Sequence, residues 1–281
     1  MKDLSAIIRV WGGVGNQLFI YAFARFLNLK YHISVFLETR TGFTHDGYNR
    51  VYRLPKFNVT LPEAKFFYTL YPFVNRKSHF IKNILFSKIF LFEEDINYPL
   101  KEISEDILPS QEKPIIYFQG YWQSFRWEAI SKQLRDEFAF VIPIGKEFSY
   151  YKERIDEANK QSVAVHFRRT QYDNSLLSLN YYRHAIMYMS DVLRNPYFFV
   201  FSDDLDWCKN TMIFEDKDHF FVKNFENELF ELKLMSYCSN FIIANSTYSW
   251  WGAWMSQNED KTVIMPSGYI DHCMNGNVVF I

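Results

Sequence analysis

The sequence predicts an α/β fold with parallel sheets. One observation is an apolar strand, Ala6-Ile7-Ile8-Arg9-Val10, that runs into the glycine loop Gly12-Gly13-Val14-Gly15-Asn16-Gln17 and then a helix. A second is the strict alternation of short apolar runs with helical periodicity from residue 162 onward. A third is a hydrophobic content of 48%, enough for a full core in a 281-residue chain.

The elements follow in order. Residues 18–31 read as a helix with apolar positions at Leu18, Ala22, Phe26 and Leu29, and 33–37 as a second strand. Residues 40–60 carry turn signals at Gly42, Asp46-Gly47 and Pro55. The stretch 66–92 is aromatic and basic, with Arg76, Lys77, Lys82 and Lys88. It reads as a helical pair covering a core; contact with a membrane surface or an acceptor glycan is the alternative. Residues 115–119 resemble a strand and 123–138 a helix. A second α/β unit begins near Gln161, with strands at 162–167, 197–201, 220–222, 241–244 and 262–265. Helices at 180–193, 205–209, 226–238 and 250–257 lie between them. Pro143 and Gly145 precede a charged helix, so the expected domains are 1–145 and 146–281.

Composition excludes several classes. A net charge of −1 gives no case for nucleic-acid binding. Cys208, Cys238 and Cys273 form no CxxC pair and are odd in number, which suits a reducing compartment and argues against a zinc site or disulfide framework. No apolar leader precedes the first strand, so a cytoplasmic protein is expected. The uncharged stretch 234–258 is too rich in Ser, Thr and Asn for a membrane span.

Polar groups gather where the second unit's strands end. They are His166, Arg168 and Arg169; Ser202, Asp203 and Asp204; and Asn245, Ser246, Thr247 and Ser249. Ligands of open α/β sheets bind at those ends. Paired arginines beside a helix start suit a diphosphate, because guanidinium forks onto phosphate oxygens. The competing reading is a set of helix caps and a salt bridge to Asp203 or Asp173. The glycine loop lacks G-x-G-x-x-G spacing and is no dinucleotide fingerprint, although Glu38 stands where a ribose-binding acid would.

These blocks carry a resemblance. Gly12-Gly13-Val14-Gly15-Asn16-Gln17-Leu18-Phe19 with Tyr21-Ala22-Phe23-Ala24-Arg25 is similar to the N-terminal signature of bacterial α-1,2-fucosyltransferases, glycosyltransferase family 11. His166-Phe167-Arg168-Arg169 resembles their H-x-R-R motif, and Phe201-Ser202-Asp203-Asp204 with Trp207-Cys208-Lys209 another block. Leu234-Met235-Ser236 with Cys238, and the run from Ala244 through Ser249 and Trp250 to Trp254, resemble the most specific one.

The resemblance implies a GT-B-like architecture: two Rossmann-like domains facing a cleft, the first on the acceptor side and the second binding the GDP-sugar. It implies GDP-fucose as co-substrate, no metal or other cofactor, inversion at the anomeric carbon, and transfer to the 2-hydroxyl of a terminal galactose. The acceptor would be an oligosaccharide or a lipid-linked glycan. Arg168 would neutralise the β-phosphate of leaving GDP, and Asn16 would lie near the sugar. Gly13, Gly15, Gln17, Arg169, Asp203, Asp204, Asn245, Ser246, Thr247 and Ser249 would line the donor. Glu231 stands where the family has Asp and would accept the N1–H and exocyclic amine of guanine.

Thr170-Gln171-Tyr172 departs from the family's G-D-Y continuation, and Asn240 replaces a common His. The general base stays open between His166, Asp173 and Asn16, with His166 also readable as a structural histidine holding the arginine loop. Two other functions compete: a transferase of another GDP-sugar or linkage, and a non-catalytic nucleotide-sugar or glycan binder. A peripheral contact with the inner membrane face through 66–92 is part of the expectation.

Overall fold

The computed structural model describes residues 4–44, 46–77, 84–94, 114–123, 125–169, 176–269 and 274–281. The chain divides into two α/β units, Met1–Val141 and Ile142–Ile281.

The N-terminal unit holds β1 (Ser5–Arg9), α1 (Val14–Tyr31), β2 (Ser34–Glu38), α2 (Tyr71–Lys77), β3 (Ile89–Glu93), β4 (Ile115–Gln119) and α3 (Ser131–Glu137). Its sheet runs β2-β1-β4-β3, every pair parallel. Side chains alternate between the two faces. Ile7 and Tyr117 share one face and pack with Tyr71 and Phe86. Phe118 points the other way, edge-on to Phe23 of α1.

The C-terminal unit holds α4 (Lys146–Ala158), β5 (Ser162–Phe167), α5 (Leu179–Val192), β6 (Tyr197–Ser202), α6 (Leu205–Asn210), β7 (His219–Phe221), α7 (Glu228–Tyr237), β8 (Asn240–Ile242), α8 (Thr247–Met255), β9 (Thr262–Met265) and β10 (Asn277–Phe280). The sheet order is β10-β9-β8-β5-β6-β7, all parallel. Every residue of β5 is buried, as a strand covered on both faces requires. Trp250, Trp251 and Trp254 of α8 are buried. Gly252 lets that helix approach α7: a Cβ there would stand 2.5 Å from Met235 Sδ.

Four expectations change. Helix α1 begins inside the glycine loop, because Gly13 takes an extended backbone and its carbonyl accepts the Gln17 N–H at 3.0 Å. Helix α8 likewise starts at Thr247, before the tryptophans. The stretch 66–92 is not a helical pair throughout, for its end forms β3. Residues 123–138 divide into a tight 3₁₀ turn, Phe125–Ile130, and α3. Among the described residues no helix is long and apolar enough to cross a membrane, and no group of three His, Cys, Asp or Glu could hold a metal ion.

Candidate active site

In an open parallel sheet ligands bind outside the strand ends at the switch point, where the connections leave in opposite directions. In the C-terminal unit it lies between β5, which leads on to β6, and β8, which leads on to β9. The β5 end carries Arg168 and Arg169; the β8 end carries Asn245, Ser246 and Thr247.

Helix starts around this point differ in one respect. Ser178 accepts the Tyr181 N–H, Asp204 the Trp207 N–H and Asn227 the Leu229 N–H, so α5, α6 and α7 are capped by side chains. Ser246, at the start of α8, makes no side-chain cap bond. Its N–H donates instead to Ala244 O at 2.7 Å. The positive end of α8 thus faces the strand ends without its own oxygen cap, beside two arginines.

The arginine loop is fixed by its neighbours. Asp203 Oδ1 accepts the Arg169 N–H at 2.7 Å. The Arg169 guanidinium lies 3.8 Å from the centre of the Trp207 ring, and its buried Nε has no partner among the described residues. His166 is 8% exposed, with its Nδ1 likewise unpartnered. Burial lowers its pKa to about 4; Asp203 opposes that shift and Arg168 adds to it. The buried imidazole is thus held in its neutral form near pH 7. Gln171 and Asp173 lie outside the described residues.

Glu231 belongs to the same cluster. Its Oε1 accepts the Phe225 N–H at 3.0 Å. Burial raises its pKa to about 7, with Glu228 and Asp203 adding to the rise. Burial and the two neighbouring acids together favour the protonated form of this half-buried carboxyl. Tyr248 feels the same charges and donates its hydroxyl to Glu228 O.

Three of the expected donor residues already have partners within the fold. Asp204 is occupied as the cap of α6, accepting Trp207 N–H at 2.9 Å. Ser249 is fully buried and donates to Ser246 O. Gln17 is fully buried too; its amide donates to Gly12 O and Val51 O, both at 2.9 Å, and accepts the Arg53 N–H at 2.8 Å. Glu38 is no ribose ligand either, because Arg40, Thr41 and Tyr117 donate to its carboxylate.

In the N-terminal unit β1 and β4 are the two central, neighbouring strands. Gly12 takes φ +79°, and a Cβ there would press on Asn16 and Tyr121. Beside Gly13 a Cβ would meet nothing, so the loop leaves room there. Gln123 Nε2 donates to Asn16 Oδ1 at 3.0 Å. Trp11 and Tyr121 stack at 4.3 Å and 8°. Glu94 clamps the turn, accepting N–H from Tyr121 at 2.6 Å and Trp122 at 2.9 Å, with Trp122 held at φ +55°. Sequence reasoning missed Trp11, Tyr121 and Gln123. Gly120-Tyr121-Trp122-Gln123 follows a strand just as the glycine loop does, and that was the available signal.

The family model for glycosyl transferase family 11 matches residues 5–277. The chain belongs to glycosyl transferase family 11. Two Escherichia coli relatives are similar to this family 11 member. An alpha-1,2-colitosyltransferase is 31% identical over 94% of this chain and 92% of its own. The O-antigen biosynthesis glycosyltransferase WbnK is 30% identical over 91% of each. The fold is GT-B-like and matches solved fucosyltransferases. NodZ from Bradyrhizobium aligns with a TM-score of 0.54 at 14% identity, covering 91% of this chain and 94% of that one. An Arabidopsis thaliana FUT1 variant in complex with GDP gives 0.55 at 9% identity, covering 92% and 70%.

Proposed function

We propose that this family 11 glycosyltransferase moves L-fucose from GDP-fucose to the 2-hydroxyl of a terminal galactose, with inversion at the anomeric carbon. The observation that carries the donor half is the uncapped start of α8 beside Arg168 and Arg169 at the switch point. Such a site takes a diphosphate. As the sugar–oxygen bond breaks, negative charge grows on the β-phosphate, and Arg168 stabilises it. Glu231, as a carboxylate, accepts the N1–H and amine of guanine. Adenine presents no N1–H, which is why the reading selects GDP. The acceptor sugar belongs with the N-terminal unit, at Asn16, Gln123 and the Trp11–Tyr121 stack, since aromatic faces suit the C–H faces of a galactose ring.

The 31% identity with an alpha-1,2-colitosyltransferase favours a second reading. Colitose is fucose without its 3-hydroxyl, so the same scaffold with GDP-colitose would form the same linkage. Titration calorimetry of GDP-fucose, GDP-colitose, GDP-mannose and UDP-galactose tests both, followed by transfer assays on a galactoside panel. Tight binding and transfer of GDP-fucose supports the first reading. Preference for GDP-colitose selects the second. Failure of every guanine nucleotide to bind removes the Arg168 and Glu231 assignments.

A further inference from the structure

In the N-terminal unit the 3₁₀ turn Phe66–Leu70, the start of α2 and residues 84–86 carry side chains that the core does not use. Tyr71 and Phe86 turn inward onto Ile7 and Tyr117. Phe66, Phe67, Leu70, Phe73, Ile84 and Leu85 turn outward, and Phe66 and Ile84 are each 62% exposed. Phe66, Leu70 and Phe73 recur at helical spacing along one continuous run, the 3₁₀ turn Phe66–Leu70 followed by α2. Phe67 packs on Phe86 at 4.8 Å, which ties this run to the 84–86 stretch. Six exposed large apolar side chains, four within residues 66–73 and two at 84–85, make a surface of the kind that marks an interaction site.

The charge pattern names the partner. From Ala64 to Phe92 the sequence has five Lys or Arg and no Asp or Glu, although Glu63 and Glu93 flank it. Lys65 and Lys88 are exposed beside the patch, and the Arg40 guanidinium sits 5.2 Å over the Phe66 ring. Exposed aromatics ringed by cations, with no acid among them, suit the interface of an anionic bilayer. Rings enter the headgroup region while ammonium groups meet lipid phosphates. A protein partner's apolar groove would not require acids to be excluded over the whole stretch.

We infer that this face docks the enzyme peripherally on anionic lipid, a property independent of the donor and acceptor readings above. The test is co-sedimentation of the full chain with phosphatidylcholine vesicles, with and without phosphatidylglycerol. Binding is expected to the anionic vesicles and to weaken in high salt. The triple variant Phe66→Ser, Leu70→Ser, Phe73→Ser should lose at least about tenfold in vesicle affinity. These positions are exposed, so its thermal unfolding should match the parent chain. A second variant, Lys65→Glu with Lys88→Glu, should lose the salt-sensitive part of binding while keeping the apolar face. Absence of binding to anionic vesicles overturns the inference. So does unchanged binding by the triple variant. A parent chain that self-associates through this face, and becomes monomeric in the triple variant without ever binding vesicles, overturns it in favour of a homodimer surface.

Discussion

Tyr21 and Glu137, 116 residues apart, are joined by a buried hydrogen bond in which the phenol donates to the carboxylate. Arg25 Nε meets the same carboxylate at 2.8 Å, and the Tyr21 oxygen accepts the Thr60 N–H at 2.9 Å. Burial and Glu137 push the Tyr21 pKa up to about 12, so the phenol keeps its proton. The signature residues Tyr21 and Arg25 therefore hold the end of the N-terminal unit to its first helix. Tyr21→Phe should cost about 1–3 kcal/mol by leaving the buried Glu137 carboxylate without its phenol donor. Glu137→Ala should cost about 3–5 kcal/mol, because it strands a partly buried arginine. Urea unfolding of both single variants and the double variant measures this. Additive losses would show that the two side chains do not act together.

Gly252 gives a prediction whose sign is informative. Glycine to alanine inside a helix ordinarily stabilises by about 0.5–1 kcal/mol. Here the new methyl would press on the buried Met235 side chain between α7 and α8. Gly252→Ala should therefore destabilise, by about 1–3 kcal/mol. Met235→Ala in the same chain should recover part of the loss by emptying the space. A stabilised Gly252→Ala protein in thermal unfolding would show that α8 does not need the close approach.

If Glu231 holds the guanine, as proposed, donor binding depends on pH. Its folded pKa is raised from 4.5 to about 7, so its contribution to stability is fully present below the unfolded value. It is lost as pH rises through about 7. Guanine recognition needs the ionised form, and the diphosphate of GDP-fucose stays fully ionised across this window. Affinity for GDP-fucose should then fall about tenfold for each pH unit below about 7, as one obligatory proton requires. Calorimetry in buffers of different ionisation heat would detect release of that proton on binding. Glu231→Gln should bind more weakly and show no such slope. A flat profile in the parent chain would detach Glu231 from the base.

What was legible in the sequence follows from where its causes lie. Strands β1, β4, β5, β6 and β9 read directly because a buried parallel strand is a short apolar run bounded by polar ends. Strand β3 was hidden because Phe, Leu and Ile in Phe86 to Phe92 continue an aromatic stretch with no break in composition. Strand β10 is an edge strand with exposed ends, Asn277 and Phe280, and lacks the apolar run. Arg168, Arg169 and Ser246 stood out as candidates because they follow strands. The roles of Gln17 and Asp204 were not legible. Gln17 binds Val51 and Arg53, and only the folded chain brings those backbone groups to it. Asp204 is a cap, which from sequence has the same look as a ligand at a strand end. His166 shows the converse: its motif stood out, while its burial is a property of the packed sheet.

Arg168 carries the most decisive prediction. It stands at the end of β5, beside the uncapped start of α8, and its charge is felt by both His166 and Tyr269. If it stabilises the leaving diphosphate, its effect is larger in the transition state than in the bound donor. Arg168→Ala should then lower kcat by about two or more orders of magnitude while weakening GDP-fucose binding less. Arg168→Lys should restore little, because an ammonium supplies a point charge and cannot fork onto two phosphate oxygens. Arg169→Ala separates the neighbours. Its guanidinium is stacked on Trp207, so its loss should loosen the loop and act on stability as well as on rate. Single-turnover rates with calorimetric Kd for the three variants resolve these effects. An Arg168→Ala enzyme that loses affinity and rate in equal measure would be a binding residue only, and the leaving-group charge would have to be met elsewhere in the site.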